Sequence, residues 1–320
     1  MTVQESPSPV EAVVPSARPP RRRGRATSLA RGDKLVLGLM LGIPTLLHLA
    51  LVWVPTVSSV LLSFTRWNGI GGLEDIEWVG LQNYDDIFNR YPRFWPAVQH
   101  NLIWLAFLIL LPTLFGLLLA VILDRKMRFG RIYQSALYMP MVLALALVGF
   151  IWQLMYEPDK GLVNNLLGIA ANGPIDWLGN RDINIYAVLI AAGWRHTGYV
   201  MLLYLAGLKS VDPGLKEAAQ LDGANGWQTF WQVTFPVLKP INIIVLVVTV
   251  IEALRAFDIV YAINGGRNGL ELLSVLITDN IIGESARVGW GSALAVILLA
   301  ISLGFIVTYL FQVFRKDERA

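Results

Sequence analysis

The sequence predicts an all-α membrane protein with six transmembrane helices. Of 320 residues, 55% are hydrophobic and only 15% charged, against roughly 25% charged in soluble domains. The apolar residues are gathered into six runs, near 35–64, 99–123, 132–155, 183–207, 237–257 and 288–314. Each is long enough to cross a bilayer with some tilt. Lipid offers an irregular backbone no hydrogen-bond partner, so every run is read as a helix. The basic residues, finally, are concentrated in alternate connections, which is the signature of a multi-pass chain.

That concentration sets the orientation. Arg18, Arg21, Arg22, Arg23, Arg25, Arg31 and Lys34 precede the first run. Arg125, Lys126, Arg128 and Arg131 follow the second, Lys209, Lys216 and Lys239 the fourth, and Arg315, Lys316 and Arg319 the sixth. The first outer loop has Glu74, Asp75, Glu77, Asp85 and Asp86 against Arg66, Arg90 and Arg93, and the third and fifth connections are poor in basic residues. Both termini are therefore expected in the cytoplasm. Residues 1–33 are rich in Pro, Ser, Ala and Arg and read as a disordered basic tail held near anionic lipid, not as a nucleic-acid-binding arm. The apolar run after it is too long for a signal-peptide core. Residues 34–315 form the membrane domain and 316–320 a short tail.

Inside the runs, Pro44, Pro55, Pro112 and Pro140 predict kinks. Gly38 and Gly42 form a G-x-x-x-G, a candidate close-packing face. Trp67, Trp78, Trp95 and Trp177 lie in outer loops near helix ends and read as an interfacial belt. Cysteine is absent, and His48, His100 and His196 lie in different runs, so no metal site is indicated. No Ser/His/Asp set or carboxylate pair suggests a catalytic centre. Gly207-Leu208-Lys209-Ser210 lacks the spacing of a phosphate-binding loop.

The fourth connection, 209–240, is more than a linker. Asp212-Pro213 offers an N-cap and a proline at the first helical position. A short helix through Leu215, Ala218, Ala219 and Leu221 would stop at Gly223. A second would start near Asn225, carrying Trp227, Phe230, Trp231 and Phe235, with Pro236 opening the fifth span. From physics alone this is either a hairpin that merely joins two spans or a docking element.

Glu217-Ala218-Ala219, Asp222-Gly223-Ala224, Phe230, Pro236 and Pro240 follow one another at the spacing E-A-A-x-x-D-G-A-x5-F-x5-P-x3-P. This resembles the EAA loop of permease subunits of binding-protein-dependent ABC importers. The resemblance covers roughly 35–315 and points to the sugar subgroup with the maltose and glycerol-phosphate permeases. Trp78-Val79-Gly80-Leu81-Gln82-Asn83-Tyr84 looks like that subgroup's F-V-G-L-x-N-Y segment, and Ser63-Phe64-Thr65 also fits. Asn264-Gly265-Gly266 resembles its T-x-G-G-P turn, and Gly289-Trp290-Gly291-Ser292-Ala293 the glycine-rich start of span six. Arg267 replaces the usual proline and Glu271 stands near a usual threonine, so a less rigid outer turn is expected.

The resemblance implies a type I ABC importer permease fold and a set of partners. These are a second permease subunit, two ATPase subunits docked on 209–240, and an extracellular solute-binding protein. ATP and Mg would sit on the ATPase subunits, and the cargo would be a polar solute, a sugar above all. Glu217, Ala218, Ala219, Asp222, Gly223 and Ala224 would couple the ATPases to the spans, which would rock between inward- and outward-facing states. An ion or solute channel or secondary transporter without an ATPase is the alternative, and a lipid-acting membrane enzyme a further one. Neither accounts for the loop.

Polar groups inside spans are costly and mark function by default. Trp194, Arg195, His196 and Tyr199 lie in span four, and Glu252 and Arg255 in span five, three apart on one face. Glu252 and Arg255 form either a structural ion pair or part of a solute pathway. The resemblance places Trp194, His196, Tyr199, Glu252 and Arg255 where the maltose permease contacts sugar. The last two are amides there.

Overall fold

A computed structural model describes residues 31–317 apart from 126, 172, 284 and 285. The basic tail expected at 1–33 thus falls outside the described residues up to position 30, as do Lys126 and Arg319. The chain divides into two units after Val54.

In the first unit, α1 (Arg31–His48) passes Pro44 without a break and runs into a π turn at Leu49–Trp53. There the Val54 amide donates to the Leu49 carbonyl, five residues back. Pro55 follows, and it has no N–H to continue the ladder. A Cβ on Gly38 or Gly42 would meet nothing within 4 Å.

The second unit begins at Pro55, inside α2 (Val54–Leu62), which leads to a two-residue strand, β1 (Thr65–Arg66), paired antiparallel with β2 (Glu77–Trp78). Next come α3 (Gln82–Arg90), α4 (Phe94–Asp124), α5 (Gly130–Val142), α6 (Leu145–Met155) and the short α7 (Leu162–Leu166). The long α8 (Asn184–Ser210) leads to α9 (Pro213–Leu221), α10 (Gly226–Gln228), a π turn at Thr229–Thr234 and α11 (Phe235–Val237). The chain finishes with α12 (Lys239–Leu254), α13 (Asp258–Asn264), α14 (Leu273–Ile282) and α15 (Val288–Asp317).

The centre is the pairing of α4 with α8. A Cβ on Gly116 would stand 2.7 Å from Val200, and one on Gly193 2.7 Å from Phe107, so small residues set how closely these helices approach. Trp104 and Leu108 of α4, Val188 and Leu189 of α8, and Val250 and Ala253 of α12 make the main buried cluster. Pro112 removes the amide that would bond the Leu108 carbonyl. The Thr113 hydroxyl donates to that oxygen instead, at 2.9 Å, and α4 continues unbroken.

Three helical stretches among the described residues are long and apolar enough to cross a membrane: Gly32–Leu62, Phe94–Asp124 and Val288–Phe311. A fourth is counted if α5 and α6, bent by 100°, are one broken span. That bend exceeds the kink expected at Pro140, because the helix stops at Val142 and restarts at Leu145. The expected fifth run also differs. α12 ends at Leu254 after 16 residues, about 24 Å of rise, and α13 starts only at Asp258. α8 has the length, at 27 residues, but its apolar run is interrupted from Trp194 to Tyr199.

Two of the connecting segments are pinned by buried asparagines, Asn83 and Asn164. Asn83 donates to the carbonyls of Ser63 (2.8 Å) and Thr65 (2.9 Å), and the Tyr84 hydroxyl bonds the Ser63 hydroxyl. The 78–84 segment is thereby a clamp on the end of α2. Trp78 and Trp95 are exposed. Trp177 differs, since its indole N–H donates to the buried Asn164 at 2.7 Å and staples a loop. The turn at 264–267 is also more tightly bonded than Arg267 led us to expect. The Asn264 side chain accepts from the amides of Gly266 and Arg267 and donates to the Arg267 carbonyl.

Candidate coupling loop and solute cavity

The 209–240 connection folds from strong local signals. The Asp212 carboxylate accepts from the Gly214 amide at 2.9 Å, and Pro213 opens α9. Gly223 follows the helix at φ +84°, a left-handed position that a β-branched residue resists. Asn225 and Gln228 then form a reciprocal capping box, both bonds at 2.9 Å. Trp227, Trp231, Phe230 and Phe235 pack ring against ring.

The surface of this hairpin is apolar and unfilled. Leu221 is 89% exposed and Trp227 72%, with Leu215 also exposed. Glu217, Ala218, Asp222 and Gly223 are exposed, and Ala219 and Ala224 half-buried. Among the described residues Glu217 has no ion pair. Its neighbour Lys216 has one, donating to Asp124 at the end of α4 at 3.2 Å. This bond ties the hairpin to the bundle, and nothing in the loop's own sequence points to it.

The residues singled out in spans four and five separate into two groups. His196, Glu252 and Arg255 line one cavity of about 230 Å³, together with Arg195, Trp104 and Asp258. Trp194 lies outside it, 42% exposed and packed edge-on against Trp152. Tyr199 is half-buried, its ring 6.2 Å from the His196 ring and not on the cavity wall. His196 is buried, its Nε2 2.9 Å from the Thr249 hydroxyl.

Of the two readings of Glu252 and Arg255, the ion pair between them does not form; Glu252 has another partner. Glu252 accepts from Arg195 Nη1 at 2.9 Å, across from α8 to α12. Arg255 caps the end of α12, still in helical conformation, with its side chain exposed. Arg195 belongs to the site, and its Nε is buried without a partner. The cavity thus offers donors from two guanidiniums, acceptors from two carboxylates, and aromatic and aliphatic faces. That set can hold a hydroxyl-rich solute. No group of three or more His, Cys, Asp or Glu among the described residues could hold a metal ion.

Residues 113–319 match the family described as binding-protein-dependent transport system inner membrane component. The osmoprotective compounds uptake permease protein GgtC of Synechocystis sp. is 32% identical over 86% of this chain and 98% of that protein. The xylose/arabinose import permease protein XacH of Haloferax volcanii is 32% identical over 86% of this chain and 87% of its own length. The trehalose/maltose transport system permease protein MalF of Thermococcus litoralis is 30% identical over 91% and 98%. Among solved structures, a bacterial ABC transporter involved in the import of the acidic polysaccharide alginate has the same fold. Its TM-score is 0.77 at 20% identity, covering 89% of this chain and 96% of that one. The chain therefore belongs to the inner membrane components of binding-protein-dependent transport systems, the permease subunits of ABC importers, and has their type I fold.

Proposed function

We propose that this subunit carries a sugar or closely related polyol into the cell. Two ATPase subunits docked on the 209–240 hairpin would drive it, with a second permease subunit and an extracellular binding protein completing the importer. The observation that carries the reading is the hairpin itself. It presents exposed Leu221 and Trp227 beside Glu217, which has no ion pair among the described residues, a surface that has an apolar seat and a charge to offer a partner. The cargo class is supported by the names of relatives that move xylose, arabinose, trehalose and maltose, and by the donor and aromatic set around Glu252. ATP hydrolysis belongs to the partners. Residues 34–315 are the permease domain, with both termini cytoplasmic.

Closure of the ATPase pair would push the hairpin, and the Lys216–Asp124 bond would pass that push to α4. Alternating access then opens the cavity to one side at a time. The test is Glu217→Lys and Gly223→Val in the assembled importer, with uptake of radiolabelled mono- and disaccharides as readout. Both variants should insert normally and lose uptake, since a reversed charge at a desolvated contact costs about 2–5 kcal/mol. Normal uptake by both would reduce the hairpin to a linker.

A further inference from the structure

We propose that the cavity between α12, α13, α14 and α15 is a second subsite on the solute pathway, and that it takes a neutral saccharide ring. The proposal rests on the reading of the chain as a sugar importer subunit. This open cleft has a volume of about 390 Å³, within the roughly 300–1,000 Å³ of small-molecule sites. The cavity against α4 and α8, at about 230 Å³, falls below that range. Arg255, Phe257 and Asp258 line both, so the break between α12 and α13 is the wall they share.

Its chemistry suits hydroxyls. The Ser274 hydroxyl donates to the Ala256 carbonyl, that of Thr278 to the Ser274 carbonyl (3.1 Å), and that of Ser302 to the Leu298 carbonyl (2.8 Å). Each proton is committed to a backbone carbonyl, which leaves each oxygen free to accept from a ligand. Arg255 supplies donors and Asp258 further acceptors. Among the described residues neither side chain has an ion pair or hydrogen bond of its own. Leu254, Ile277 and Leu298 supply the apolar surface that the C–H face of a sugar needs.

Charge sets the ligand class. Arg255 and Asp258 are the two ionisable groups on the wall, and their charges cancel. An acidic sugar would meet no net positive field. Both side chains are exposed although they lie between apolar helices. Facing lipid is costly for such groups, so they face water and solute.

The chain has no cysteine, so single cysteines report directly. Thr278→Cys and Ser302→Cys are placed in the complete importer in proteoliposomes, with Leu303→Cys as a control on an exposed apolar position. A charged methanethiosulfonate is the reagent, and maltose, xylose and glucuronate are the probes. Thr278→Cys and Ser302→Cys should react several-fold faster than the control. Maltose or xylose, but not glucuronate, should slow the reaction. Full modification should cut sugar uptake several-fold while the binding protein still stimulates ATP hydrolysis. Uptake that survives full modification overturns the subsite and leaves the importer reading intact. Cysteines shielded in the complex but reactive in the isolated subunit overturn it too, since the partner permease then fills the cavity. If no saccharide is taken up before modification, the sugar reading itself falls and the subsite with it. Thr278→Val, nearly isosteric, guards against a folding defect. It should lower uptake with unchanged assembly, and unchanged uptake counts against the proposal.

Discussion

Arg195 of α8 donates to Glu252 of α12 at 2.9 Å, joining helices 57 residues apart in sequence. The two side chains keep 20% and 37% of their exposure, so the bond sits at the edge of a cavity, with water on one side. Such a bond can hold the helices in one arrangement and can be exchanged for a bond to solute.

Arg195→Ala should therefore destabilise the subunit by less than the roughly 3–5 kcal/mol of a fully buried broken pair. Pairing it with Glu252→Gln should restore most of that loss while uptake stays low. Arg255→Ala breaks no ion pair and should lower uptake with little change in stability. Thermal unfolding of the purified complex, read beside sugar uptake, checks all three. Full uptake in the Arg195/Glu252 double variant would make the pair purely structural.

The contrast with the hairpin shows what a sequence can carry. Asp212-Pro213, Gly223 and Asn225 act within three or four residues of themselves, so their caps and turn were legible before any coordinates. Nothing comparable marks the end of α12. The stretch Glu252-Ala253-Leu254-Arg255-Ala256-Phe257-Asp258 holds no proline or glycine, and its apolar pattern runs on as if helical. At the break the Ser274 hydroxyl of α14 bonds the Ala256 carbonyl, a contact from a distant part of the chain. For Glu252, local spacing favoured Arg255, whereas tertiary packing brought Arg195.

The Lys216–Asp124 bond, 3.2 Å long with side chains 32% and 24% exposed, should matter more to coupling than to stability. A partly exposed ion pair contributes about 0–1 kcal/mol. Lys216→Ala should leave unfolding within that range of the parent yet raise the ATP hydrolysed per solute imported. The charge exchange Lys216→Asp with Asp124→Lys should bring the ratio back. An unchanged ratio in Lys216→Ala would remove this bond from the transmission path.

Orientation makes the last prediction. Exposed positions on the hairpin and in the first outer loop should face opposite sides of the membrane, because basic residues crowd the connections at 125–131 and 209–239 while the 74–86 loop is acidic. Gln220→Cys and Asp75→Cys place one thiol on each, at sites exposed in the fold. In intact cells an impermeant maleimide should label the Asp75→Cys variant and spare the Gln220→Cys variant until the membrane is opened. Labelling of position 220 from outside would put the hairpin beyond reach of ATP. Docking of an ATPase on Glu217 would then be impossible, and the coupling mechanism would fail with it.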